Sequence, residues 1–223
     1  MRGVLFTGCL LSTASWANPG INLPSVSEST DHTAVYVGTG AFVNQYGPLP
    51  SARLALDWQS GSFGLRASST LFVGNAAERF DVLGASWALV ERDGFRFGPF
   101  LSLAQYTGSS PIDHRITART GLALDAGGEN WRFDATVSAV GLAWYPRGEV
   151  ETPLYRLSVL ETMAFATELG VRRSLGQHQI RLGLLGPMPV VGYRFEGEPW
   201  LVRVDAGGAN GTQTLWLQLG QRL

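Results

Sequence analysis

The residues able to do chemistry in this chain are arginines and carboxylates placed at every second position of short alternating stretches. Within 51–59, Arg53, Asp57 and Gln59 share one side of an extended strand, while Leu54, Leu56 and Trp58 share the other. The same two-residue period puts Arg53, Arg66, Arg96, Arg119, Arg132, Arg172, Arg181, Arg194, Arg203 and Arg222 on a polar face, together with Asp57, Asp125, Asp134, Glu168 and Asp205. Ten guanidiniums against five carboxylates can act in two ways. Surplus cations draw anions into the space they surround. Alternatively, Arg–carboxylate pairs neutralise and fill that space, and Asp57, Asp134 and Asp205 each have an Arg nearby on the same face of their own strand. Both readings stay open on the sequence.

A second group, Ser109, Ser110, Asp113 and His114, contains the types a hydrolase needs as nucleophile, orienter and base. All four fall in one connection, where neighbouring residues rarely meet at hydrogen-bond distance, so a solvated loop pair is expected and an enzyme is not. His32, His114 and His178 are the only histidines and Cys9 the only cysteine, which leaves no metal-ligand spacing. Glycines inside the strands precede no helix and form no phosphate loop. No cofactor is expected.

The elements that must hold the arginines read as strands at 33–43, 51–59, 63–73, 82–92, 95–107, 117–125, 131–144, 162–173, 179–185, 190–195, 200–208 and 212–223. Short turns (60–62, 93–94, 127–130, 176–178, 196–199) alternate with longer connections such as 74–81, 108–116 and 146–161. The connection at 186–189 is tight, yet the apolar parity switches across its two prolines, which separates two strands. Asn210–Gly211 is a hairpin signal. The count is twelve antiparallel strands; ten is the alternative, favoured if 162–173, where Met163, Ala166 and Gly170 allow it, is a helix.

In a strand half-buried in a soluble protein the polar face meets water. In a transmembrane barrel the apolar face meets lipid and the polar face turns inward. Aromatic positions discriminate. Trp58 and Phe63 flank the first short turn, Phe95 and Trp131 follow the next two, and Phe195 and Trp200 flank the last, all on the apolar parity. Rings collected at one height beside the short turns make a membrane-interface girdle. Tyr46, Phe80, Tyr106, Trp144 and Tyr145 sit near the other rim. Arginines on the lipid face would cost about 2–4 kcal/mol each near the midplane, so their parity is energetically enforced.

Residues 1–17 read as a cleaved secretory signal: Arg2 supplies charge, 3–11 an apolar run too short to span a bilayer, and Ser15–Trp16–Ala17 the cleavage residues. A polar segment, 18–32, precedes one barrel domain over 33–223. Cleavage removes Cys9 and leaves a formal charge of -2, too little field for nucleic acid. All 17 basic residues are Arg, with base composition of the gene as the plain cause.

With signal, girdle, turn rhythm and charged inner face in hand, the chain resembles bacterial outer-membrane β-barrel proteins over nearly all of its mature length. Gly47–Pro48–Leu49–Pro50 before an alternating strand, and Asp93–Gly94–Phe95–Arg96–Phe97–Gly98–Pro99 across a turn, are similar to the MltA-interacting (OmpV-like) family. One departure is the C-terminal Leu223, where the assembly signal of such barrels usually ends in an aromatic. The resemblance implies the outer membrane of a Gram-negative bacterium, lipid and the barrel-assembly machinery as partners, and no nucleic acid. The expected function is a narrow, Arg-lined, porin-like channel for small anionic solutes. Its alternatives are a closed scaffold barrel binding a periplasmic partner and a surface lipid-modifying enzyme.

Overall fold

The computed structural model describes residues 31–44, 47–73, 79–107, 114–145, 162–185, 188–209 and 212–223. Their alternating patterns form thirteen strands: β1 (His32–Asn44), β2 (Gly47–Ser60), β3 (Phe63–Phe72), β4 (Arg79–Trp87), β5 (Val90–Arg92), β6 (Phe95–Thr107), β7 (His114–Gly127), β8 (Trp131–Tyr145), β9 (Thr162–Leu175), β10 (His178–Leu185), β11 (Met188–Glu196), β12 (Trp200–Ala209) and β13 (Thr212–Arg222). Neighbours in sequence pair antiparallel except β4 and β5, which both pair with β6, and β1 pairs with β13, so the sheet closes on itself. Because β5 continues β4 along the same partner, this is a closed antiparallel barrel of twelve strands.

The interruption between β4 and β5 is a bulge. Ser86 pairs with Phe100 but Val90 pairs with Phe97, so Trp87, Ala88 and Leu89 stand opposite Gly98 and Pro99. The extra residue bends the strand and exchanges its two faces beyond that point. Gly98 is required there, since a Cβ on it would lie 1.7 Å from the Trp87 carbonyl oxygen. Pro99, which lacks a ladder donor, is accommodated at the same irregularity.

The elements agree with the sequence reading, with three extensions. Gly47–Pro50 joins β2 and His114 opens β7, so both strands begin earlier than their alternation suggests, and β4 begins at Arg79. Residues 162–175 form a strand, which removes the helical alternative and the ten-strand count. Leu185 pairs with Met188, which makes β10 and β11 separate strands as the parity switch requires. At Gly94 the two-residue turn between Arg92 and Phe95 takes φ +69°, open to glycine at no steric cost.

Burial alternates along the strands. Leu54, Leu56, Leu83, Leu103, Leu182, Leu215, Leu217 and Leu219 are exposed on the outside, while Ser51, Arg53, Asp57, Thr70, Asp125, Glu168, Arg203 and Gln218 are buried on the inside. A large apolar exterior around a polar interior inverts the pattern of a water-soluble fold. Apolar side chains also enter the interior: Phe72, Phe80, Val82 and Ala104 pack with Trp216, and Ala34, Ala55 and Leu201 pack with Tyr36. Phe80 is therefore at the rim in height but inside the barrel, because its parity is that of buried Val82 and Ser86.

Candidate functional site

The inner wall is a belt of ion pairs whose partners come from neighbouring and next-neighbouring strands. On β2 and β3, Asp57 and Arg66 are directly paired in register, and Arg66 donates to Asp57 Oδ2 through two nitrogens at 2.7 and 3.0 Å. Across β7, β8 and β9, Asp125 accepts from both Arg132 and Arg172, which face each other in register. Arg181 of β10 reaches across β9 to Asp134 of β8, where the intervening residue is Gly170. That glycine leaves the space, since a Cβ on it would meet the Asp134 carboxylate and the Arg181 guanidinium within 3 Å. Arg119 binds Glu168 and donates to Ser138 Oγ at 2.7 Å and Thr136 Oγ1 at 3.1 Å. These bonds satisfy the guanidinium in a site where an unmatched charge would be costly.

Two arginines meet aromatic faces. The Arg53 guanidinium lies 3.9 Å from the Trp216 ring centroid and donates to Thr70 Oγ1 at 2.8 Å, and Arg203 lies 4.8 Å from the Tyr36 ring. Such stacking contributes on the order of 1–2 kcal/mol where water is excluded. Buried Asp205 sits on the same part of the wall, directly across from Trp216 in register.

Near the short turns, Arg96 pairs with Glu91, and Arg194 and Arg222 both pair with Glu196 at 2.7 and 3.4 Å. Register and these contacts put Glu91, Glu196, Tyr36 and Trp216 on the same face as the expected arginines and carboxylates. Glu91 escapes a parity count because the bulge reverses its strand. Tyr36 and Trp216 are open to that count, since Tyr36 shares its parity with small Ala34 and Gly38 and Trp216 with polar Thr214 and Gln218.

Outside, the expected aromatics gather at the short-turn end. Trp58 and Phe63 make an edge contact at 6.0 Å, Trp131 lies under Arg173 at 5.1 Å, and Phe95 and Trp200 are exposed. Phe195 stands 5.2 Å from the His178 ring, whose Nδ1 is 2.8 Å from the Tyr193 hydroxyl. Trp87, which pairs with Phe63, adds a further exposed ring. Tyr46, the side chains of Tyr106, Trp144 and Tyr145, and Ser109, Ser110 and Asp113 lie outside the described residues, as does the side chain of His114. Residues 1–30, including the expected signal, lie outside them as well. Among the described residues there is no cluster of three metal-ligating side chains.

No family model and no curated protein sequence matches the chain, so the local likeness to the MltA-interacting family gains no support. Solved structures do match. A KdgM porin in complex with disordered oligogalacturonate superposes with a TM-score of 0.59 at 12% identity, covering 84% of this chain and 98% of the porin. The Salmonella typhi outer membrane phospholipase dimer with bound calcium gives 0.53 at 11% identity, covering 96% and 97%. The fold is that of a bacterial outer-membrane β-barrel. At such identities the likeness carries the fold alone, and porins and a phospholipase share that fold, so chemistry must come from this barrel's own residues.

Proposed function

We propose that this barrel is a narrow porin-like channel of the outer membrane whose arginine-rich inner wall favours small anionic solutes. The observation that carries the reading is the charge inventory of that wall. Among the described residues, ten arginines, from Arg53 to Arg222, stand against seven carboxylates once Glu91 and Glu196 join Asp57, Asp125, Asp134, Glu168 and Asp205. In a low-dielectric tube such a surplus attracts anions and repels cations. In this reading Trp58, Phe63, Phe95, Trp131, Phe195 and Trp200 mark the periplasmic membrane interface, the chain arrives through a cleaved signal at 1–17, and the barrel-assembly machinery inserts it. Catalysis by the 109–114 connection has no part in it.

The near-complete burial of Asp125, Glu168, Tyr36 and Trp216 favours a second reading, a closed structural barrel that holds a periplasmic partner. Planar-bilayer recording with purified protein under a potassium chloride gradient decides between them. Unitary currents with a reversal potential on the chloride side are expected. A barrel that is folded by its heat-dependent gel mobility but electrically silent, or one selective for potassium, would refute the anion channel.

A further inference from the structure

The outer wall carries a groove of about 730 Å³ that conduction does not use. Its floor is β3, where the outward residues Ala67 and Ser69 are small. Register places each between larger neighbours: Ala67 lies between Leu56 and Leu83, and Ser69 between Leu54 and Asp81. Leu103, paired with Leu83, completes the far wall. In the next layer towards the short turns Trp58 pairs with bulky Leu65, which ends the small-residue floor at that side. At the opposite end the groove reaches Arg79, Asp81 and Gln105, all on the outward face. Arg79 Nε is 2.7 Å from the Asp81 carboxylate, and more than half of the Arg79 side chain is exposed (55%).

These positions fix what can fill it. An outward charged pair is tolerated at the headgroup level and is costly within the apolar band, so Arg79 and Asp81 mark the outer interface. From the Leu83 layer to Arg79 is four residues, about 13 Å along the strand and about 10 Å once strand tilt is included. This is most of one leaflet's share of a hydrocarbon core of about 30 Å. The groove thus opens to lipid along its length, has apolar walls, and ends at polar groups where the headgroups of the outer leaflet begin. An acyl chain fits the walls. The polar end offers a cation for a phosphate, a carboxylate that accepts from a hydroxyl but repels a bare anion, and the Gln105 amide, which both donates and accepts.

We infer that this groove is a lipid site that seats one acyl chain of a phosphorylated glycolipid of the outer leaflet, with its phosphate on Arg79 and its sugar hydroxyls on Asp81 and Gln105. The site acts from outside the wall and holds whether or not the barrel conducts. Full-length barrel in detergent is titrated with purified lipid A, phosphatidylglycerol or phosphatidylcholine and read by native mass spectrometry. One lipid A per barrel should be retained in preference to either phospholipid. Arg79→Gln should weaken it about tenfold, the scale of one hydrogen bond to a charged group. Ser69→Trp fills the floor with a lipid-compatible side chain and should abolish retention while heat-dependent gel mobility stays normal. Equal retention of lipid A and phosphatidylcholine, or unchanged lipid A binding in folded Ser69→Trp barrels, would overturn the assignment. So would a cross-linked dimer with the groove between copies, which would give the face to a second copy of this chain.

Discussion

Substituting Asp125 by Asn tests whether the inner ion pairs hold the barrel together. Asp125 is 1% exposed and is the shared acceptor of Arg132 and Arg172. Removing one partner of a buried ion pair costs about 3–5 kcal/mol, because the remaining charge keeps its desolvation penalty without its attraction. Asn retains the shape and can still accept one hydrogen bond, which returns about 1 kcal/mol. Arg132, with 24% of its side chain exposed, can also turn to water, and Arg172 keeps other contacts. The expected loss is therefore about 2–4 kcal/mol. Urea unfolding of the barrel in lipid vesicles, followed by tryptophan fluorescence, measures it. The double variant Asp125→Asn/Arg132→Gln removes a cation along with the anion and should recover part of the loss. In the bilayer assay Asp125→Asn adds one positive charge to the wall and should move the reversal potential further to the chloride side. A stability change below about 0.5 kcal/mol, the scale of an exposed pair, would refute the argument that these pairs are desolvated.

Leu54→Arg puts a charge on the outward face of β2 and should cost about 2–4 kcal/mol if that position is near the midplane, whereas Gln213→Arg near the outer rim should cost about 0–1 kcal/mol; equal costs in the same vesicle assay would contradict the membrane orientation. Gly98→Val should abolish the heat-modifiable species on gels, since even a Cβ would clash with the Trp87 carbonyl. Gly84→Ala, whose Cβ would meet nothing closer than 3.7 Å, should fold.

Most of the architecture was legible because the bilayer enforces a two-residue period on every strand. Leu54, Leu56 and Trp58 cannot exchange faces with Arg53 and Asp57 without placing charge in hydrocarbon, so the alternation survives wherever the strand crosses. The parity switch between Leu184 and Val191 separated β10 from β11 for the same reason. The rule fails where the chain leaves regular register. The bulge at Trp87–Leu89 carries Glu91 to the inside, and no local pattern announces it except Gly98 and Pro99 on the opposing strand, which become informative only once the pairing is known.

The pairing of individual charges was beyond the sequence for a different reason. Asp125 and Arg172 are 47 residues apart, and Arg119 and Glu168 are 49. Each pair joins strands separated by one intervening strand, so it depends on the sum of two register offsets, and each offset is set by a turn and by hydrogen bonding along a whole ladder. Parity can state that Arg119 and Glu168 share a face, but their height along the barrel follows only from Arg119 opposing Val140 and Thr136 opposing Glu168. Face parity, not composition, gave the expectation of more arginines than acids on one side, while closure of the barrel decides which of them are paired. Asp125 spends one carboxylate on two guanidiniums, and Glu196 does the same for Arg194 and Arg222. Among the described residues of the inner wall six acids thus hold eight arginines, so pairing, and not the ratio of the two residue types, sets the field that any solute in the lumen would meet.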